Sequence, residues 1–169
     1  MTKPFVAILM GSDSDLPVMQ GTIEILKSFA IDFEVKVTSA HRTPAATHAY
    51  VTDAEKRGCK VFICAAGLAA HLAGAVAGIT TRPIIGVPID CGPLNGQDAL
   101  LSTVMMPAGV PVATVAIGSA GAKNAAYLAA QILAVADDEL AKRVKENRAE
   151  NAQAVIAKDA ALQLKLAKL

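Results

Sequence analysis

Apolar residues fall in short unbroken runs, and amphipathic stretches separate them along most of the chain. Phe5–Met10 is wholly apolar and ends in Gly11-Ser-Asp-Ser-Asp15, which predicts a buried strand closing in a polar turn. Leu16, Met19, Ile23 and Leu26 then recur at helical spacing, and Pro17 falls in the first turn, where a missing N–H is tolerated. Residues 33–37 predict a second strand. Thr43 and Pro44 suit the N-cap and first position of a helix to about Arg57, with Gly58 as its terminator. A third strand over 61–65, a short helix over 69–78, a fourth strand over 84–87 and a helix over Gln97–Val104 follow. A fifth strand over 112–117 leads through Gly118-Ser-Ala-Gly121 into a helix over 122–136.

Strands that are apolar throughout, alternating with helices, imply a parallel sheet covered on both faces. The expected class is α/β: a three-layer α/β/α domain of the flavodoxin or Rossmann kind, spanning residues 1–136, plus a long C-terminal helical arm. From 137 to 169 there is no Gly or Pro, and Leu140, Val144, Val155, Leu162, Leu166 and Leu169 form a broken apolar stripe. As one helix this extension reaches roughly 45 Å at 1.5 Å per residue. Such a length suits packing on a neighbouring subunit; the alternative is a solvated tail after about Asn147.

Composition narrows the picture. A chain of 169 residues with 53% hydrophobic residues buries a real core and excludes disorder. A net charge of +1 argues against nucleic acid as a partner. The first residues lack the pattern of a secretory signal, so the expectation is a soluble, cytoplasmic protein. Residues 61–79 are uncharged over 19 positions but rich in Ala and Gly, which fits a strand and a tightly packed helix better than a membrane span. Three cysteines without metal-ligand spacing suggest neither a disulfide framework nor a metal site. Thirteen of the 31 charged residues lie in 137–169, and all 12 glycines lie before them. So lightly charged a body implies cover by sister subunits, hence a homo-oligomer, rather than an Ala-rich monomer.

Candidate chemistry sits in the loops at the carboxyl ends of the strands, where parallel sheets bind ligands. After strand 1, Gly11 allows a sharp turn. Ser12 and Ser14 suit a phosphate, and Asp15 can accept from ribose hydroxyls. The plainer reading makes Ser14 or Asp15 an ordinary N-cap. This loop is neither GxGxxG nor a Walker A loop. After strand 2, Ser39-Ala-His41-Arg42 sets a proton carrier beside a permanent cation. A structural surface pair remains the alternative, and His48 reads as structural. After strand 3, Ala65-Ala-Gly-Leu-Ala-Ala-His71 lets a ligand approach the backbone, with His71 either facing it or satisfied in the core.

Together GSDSD, SAHRTP and AAHL, with the stretch 106–133, resemble the N5-carboxyaminoimidazole ribonucleotide mutase family, the class I branch of the phosphoribosylaminoimidazole carboxylase enzymes. The likeness runs through about Arg143. It implies an isomerase of purine (IMP) biosynthesis that shifts a carboxyl group from N5 to C4 of a small ribonucleotide, without metal, biotin or ATP. It makes His41 the general acid and base. Ser12, Asp15 and Arg42 bind ribose and phosphate with Ser14 and Ser39 nearby, and His71 with the backbone of 69–72 borders the carboxyl pocket. It also implies a homo-octamer. Leu68 stands where the family commonly has Gly, Ala73 where it has Pro, and Met105 where it has Gln; Cys91-Gly-Pro93 also departs from the usual residues. The related branch that uses free CO2 resembles SAHKT and lacks AAHL, so Arg42 and His71 favour the mutase. A signalling module would need an acidic residue ending strand 3, and an FMN carrier would need ring-stacking aromatics; neither is present at those places.

Overall fold

The computed structural model describes residues 4–168. Leu169, the last member of the apolar stripe, and residues 1–3 of the N-terminal stretch lie outside the described residues. The chain divides into two compact units, Met1–Ala130 and Gln131–Leu169.

In the first unit β1 (Phe5–Met10) lies inside a five-stranded sheet with β2 (Asp32–Val37), β3 (Cys59–Ala66), β4 (Ile84–Pro88) and β5 (Ala113–Thr114). The order is β2-β1-β3-β4-β5, and every neighbouring pair is parallel. Ile8 of β1 aligns with Val35 of β2 on one side and Ile63 of β3 on the other. Val6, Ala7, Ile8 and Leu9 are completely buried, as their unbroken apolar run requires when both faces are covered. Phe5, Ala7 and Leu9 join a core cluster with Val51 and Ala54 of α2 (Pro44–Arg57) and Leu72, Ala73 and Val76 of α3 (Leu72–Ala77). Alternate β1 side chains point to the opposite face. There α1 (Leu16–Ser28) and α5 (Gly118–Ala134) are joined by Thr22, whose buried hydroxyl donates to the Ala122 carbonyl at 2.7 Å. This is the three-layer α/β arrangement, and α4 (Gln97–Val104) has the expected bounds.

The structure departs from the expected pattern at the sheet edges and in two connections. β2 is not covered on both faces: Val35 and Val37 are 41% and 48% exposed, because the strand has a partner on one side alone. The fifth strand shrinks from six expected residues to two. After Thr114 one further bond, Val115 N–H to the Gly86 carbonyl at 3.0 Å, holds the segment to β4, and the Ala116 carbonyl then lies 1.6 Å from where a Gly121 Cβ would stand. Gly121 has no side chain because that approach leaves no room for one. Gly118-Ser-Ala-Gly121, expected as a lead-in, is therefore the first turn of α5. α3 begins at Leu72, three residues late, since 68–71 is wound into tighter turns. Among the described residues no helix is long and apolar enough to cross a membrane, and the uncharged run 61–79 is mostly β3, these turns and α3.

The second unit holds α6 (Asp138–Leu166), a helix of 29 residues. The Asp137 carboxylate caps it, accepting the Leu140 N–H at 2.9 Å. Asp138 and Glu139 in the first turn and Lys165 in the last complement the helix dipole. The helix continues well past Asn147, and Val155, Ile156, Leu162, Leu164 and Leu166 remain exposed on it.

Candidate active site

The strand order doubles back at β1, so the loops after β1 and β3 diverge around a crevice at the carboxyl ends of the strands. The loop after β2 borders the same opening. These three segments line one cavity of about 480 Å3, a volume ordinary for a small-molecule site.

The loop after β1 is fixed by its own polar groups. Gly11 donates to the Ala65 carbonyl at 2.9 Å, tying the end of β1 to the end of β3. Asp15 stands at the N-cap of α1, as one of the two expected candidates, but its side chain caps no N–H there; the side-chain cap belongs to Ser12, at the head of a single 3-10 turn, Asp13–Asp15. The Ser12 Oγ accepts from the Ser14 N–H at 3.3 Å and from the Ser14 hydroxyl at 2.8 Å, while Asp15 Oδ2 accepts the Ser12 N–H at 3.1 Å. This reciprocal capping box holds both serines at the cavity and buries Asp15. Burial pushes the Asp15 carboxyl above the usual carboxylate range, against the opposing pull of the Ser12 N–H.

The loop after β2 turns through a threonine network. Thr43 heads α2 as expected, yet its hydroxyl caps no helix N–H; it accepts from the Ser39 N–H at 3.0 Å. Ser39 Oγ in turn accepts the Arg42 N–H at 3.1 Å, and Thr38 and Thr47 share a buried hydroxyl contact of 2.7 Å beneath. The 39–42 segment is thereby folded over the crevice with His41 and Arg42 exposed. Arg42 Nη2 reaches the Gly11 carbonyl at 3.3 Å, setting the guanidinium beside the serine loop. His48 lies exposed on α2 and is not part of the lining.

The loop after β3 brings the third component. Ala70 N–H donates to the Leu68 carbonyl and His71 N–H to the Ala69 carbonyl, both at 2.9 Å, two successive turns that swing His71 out of the core. His41 Nε2 and His71 Nδ1 are 2.8 Å apart, with their rings edge to face. Thirty positions apart in sequence, the two imidazoles share one hydrogen bond.

All seven residues singled out from the sequence, Ser12, Ser14, Asp15, Ser39, His41, Arg42 and His71, line this cavity. Cys91, from the loop after β4, lines it too, and was noted in the sequence merely as an unusual residue. Its signal was position: β4 adjoins β3, so the loop after it must border the same crevice. Cys59 and Cys64 are buried in the core, where burial pushes both thiols up, Cys59 to about 11. Among the described residues no three His, Cys, Asp or Glu side chains converge as metal ligands.

The model of one protein family, AIR carboxylase, matches residues 5–154. The chain belongs to the AIR carboxylase family. Within that family it is 54% identical over 155 residues to the N5-carboxyaminoimidazole ribonucleotide mutase of Thermotoga maritima, covering 92% of this chain and 90% of that protein. It is 51% identical over 167 residues to the enzyme of the same name from Mycobacterium tuberculosis, covering 99% and 95%. The crystal structure of Treponema denticola PurE superposes with a TM-score of 0.85 at 34% identity, over 95% of this chain and 99% of that one. The AIR carboxylase match spans β1 to α5 and enters α6, so it contains all three site loops.

Proposed function

We propose that the protein is an N5-carboxyaminoimidazole ribonucleotide mutase, an isomerase of purine biosynthesis that moves a carboxyl group from the exocyclic N5 to ring carbon C4. The observation that carries the reading is the His41–His71 hydrogen bond, in a cavity also lined by Ser12, Ser14, Ser39 and Arg42 and by the small residues Ala66, Gly67 and Ala69. Relatives of that name at about half identity over nearly the whole chain support it.

The ribose phosphate lies along Ser12, Ser14 and Ser39, with Arg42 facing the phosphate and Asp15 accepting a ribose hydroxyl. Beside the two histidines the N5–carboxyl bond breaks and its electron pair stays on N5, which takes a proton as CO2 is released. Carbon C4 then attacks CO2, and loss of the C4 proton restores the aromatic ring. One proton is delivered and one recovered, so a single acid–base group completes the cycle, and His41 is that group. A hydrogen bond between two ring nitrogens holds one proton. When His41 Nε2 donates, His71 Nδ1 accepts, which fixes how the His41 ring is turned in the cavity. Small apolar walls keep CO2 within reach of C4.

The active form is a closed homo-oligomer, an octamer, located in the cytoplasm, with 1–136 as the catalytic domain and the 137–169 arm packed on a neighbouring subunit. Support comes from apolar side chains exposed on the single chain: Leu101, Val104 and Met105 in the first unit, and the row on α6 in the second.

The test supplies the N5-carboxylated ribonucleotide and follows the C4 carboxylate, corrected for the enzyme-free reaction. Conversion without added bicarbonate is expected. A protein that instead required the uncarboxylated ribonucleotide plus bicarbonate would be a carboxylase using free CO2.

A further inference from the structure

The apolar side of the cavity contains a residue whose conformation and size are at odds. Leu68 adopts φ 55°, the left-handed region that glycine enters freely and a leucine does not. Its side chain is 51% exposed, so core burial does not account for a bulky residue there. What it touches does. The Leu68 Cδ2 lies 2.5 Å from where a Cβ on Gly92 would stand, and Gly92 itself has φ 74°. Bulk at 68 is matched by the absence of bulk at 92, across the gap between the loop after β3 and the loop after β4. The remaining residues lining that side, Ala66, Gly67, Ala69 and Cys91, are all small. Beside the buried Leu72, Leu68 is the one large apolar side chain among the lining residues.

Strained non-glycine backbone inside a site points to a use for the side chain it presents. We propose that Leu68, seated on Gly92, bridges the two loops as a wall that retains CO2 and so sets how released CO2 divides between capture at C4 and escape. The inference rests on the mutase reading. Escape leaves the protonated N5 amine as product, so the divide is written in the products themselves: the decarboxylated ribonucleotide and free CO2 on one branch, the C4 carboxylate on the other. Leu68→Gly opens the wall and removes the unfavourable φ, so loss of folding cannot imitate the effect. Gly92→Ala pushes Leu68 off its seat by adding the excluded Cβ.

The experiment measures the ratio of C4 carboxylate to decarboxylated ribonucleotide per substrate consumed, together with uptake of 13C from labelled bicarbonate into the C4 carboxylate. The ratio should fall at least threefold in Leu68→Gly and in Gly92→Ala, and label uptake should rise, because CO2 that leaves exchanges with the labelled pool. Thermal unfolding of Leu68→Gly should occur no lower than that of the parent protein. A ratio and label uptake unchanged in Leu68→Gly, while the variant still turns over, overturns the role of the wall alone. A parent protein that forms no C4 carboxylate overturns the mutase reading, and this inference with it.

Discussion

His41 has no partner within its own turn that would explain its position; its ring nitrogen meets His71 from another loop. If that contact carries the proton cycle, an amide of similar size keeps the shape and loses the chemistry. His41→Asn should lower kcat by roughly 10²–10⁴, the usual worth of general acid–base catalysis, while nucleotide affinity stays within about tenfold. Steady-state turnover beside calorimetric titration separates the two effects, and a variant retaining most of its kcat would rule His41 out. Arg42 makes the opposite prediction. Its guanidinium is exposed and makes a 3.3 Å bond to the Gly11 carbonyl, so it can turn to a phosphate with little rearrangement. Arg42→Ala should raise KM by roughly 10- to 100-fold with a smaller change in kcat, as for a lost charge-assisted bond of about 1.5–3 kcal/mol. An unchanged KM would place Arg42 away from the phosphate.

The two elements flanking the loop that carries both residues are tied together outside the site. β2 is an edge strand, and its half-buried Glu34 is clasped by α2. Arg57 donates Nη1 to Oε1 and Nη2 to Oε2, the latter at 2.9 Å, and the Tyr50 hydroxyl donates to Oε2 at 2.9 Å. Asp53 holds the same guanidinium through Nε at 2.6 Å. The Arg57 hydrogen bonds hold the Glu34 carboxyl below its ordinary value of 4.5. A carboxylate depressed in the folded state contributes stability above its unfolded pKa and loses it as pH falls through the folded one. Glu34→Gln should therefore destabilise the protein at pH 7, by no more than about 1 kcal/mol, since the bridged side chains are 40% exposed and screened. The gap between variant and parent should narrow as pH drops below about 4, which urea unfolding at several pH values can follow. A gap that persisted unchanged in acid would mean that the clasp does not act through charge.

At the scale of the whole molecule, the exposed apolar residues and the distribution of charge point the same way. Residues 1–136 carry 18 of the 31 charges, too few for a body wetted on every side, and α6 exposes five large apolar side chains along its second half. Covering both is what a closed assembly would do. Light scattering should give a mass near eight times 17.4 kDa at micromolar concentration. Ending the chain after Ala136 should weaken assembly or solubility before it disturbs the three loops. A full-length protein of monomer mass would leave the exposed apolar residues unexplained.

The sequence by itself determined what depends on neighbouring residues. The apolar runs specified the strand succession, helical spacing specified α1, and Thr43-Pro44 with Gly58 bounded α2. The Gly- and Pro-free tract specified α6. GSDSD, SAHRTP and AAHL, placed after the first three strands, already held the seven singled-out residues that line the cavity, because parallel βα connections bring such loops to one edge. The backbone path inside the connections, and contacts between segments distant in sequence, were decided only by the tertiary structure. β5 ends early and the Ala116 carbonyl then passes close to Gly121, which local propensity does not encode. Ser12 and Asp15 cap a 3-10 turn reciprocally, so Asp15, at the N-cap of α1, spends its carboxylate on the Ser12 N–H. His71 left the core and met His41 because the turns at 68–71 swing it outward, and Leu68 keeps its left-handed backbone opposite Gly92. Local pattern fixes which way a side chain faces along its own element; which side chains meet is set by how the elements pack, and the proposed proton transfer and CO2 retention rest on those meetings.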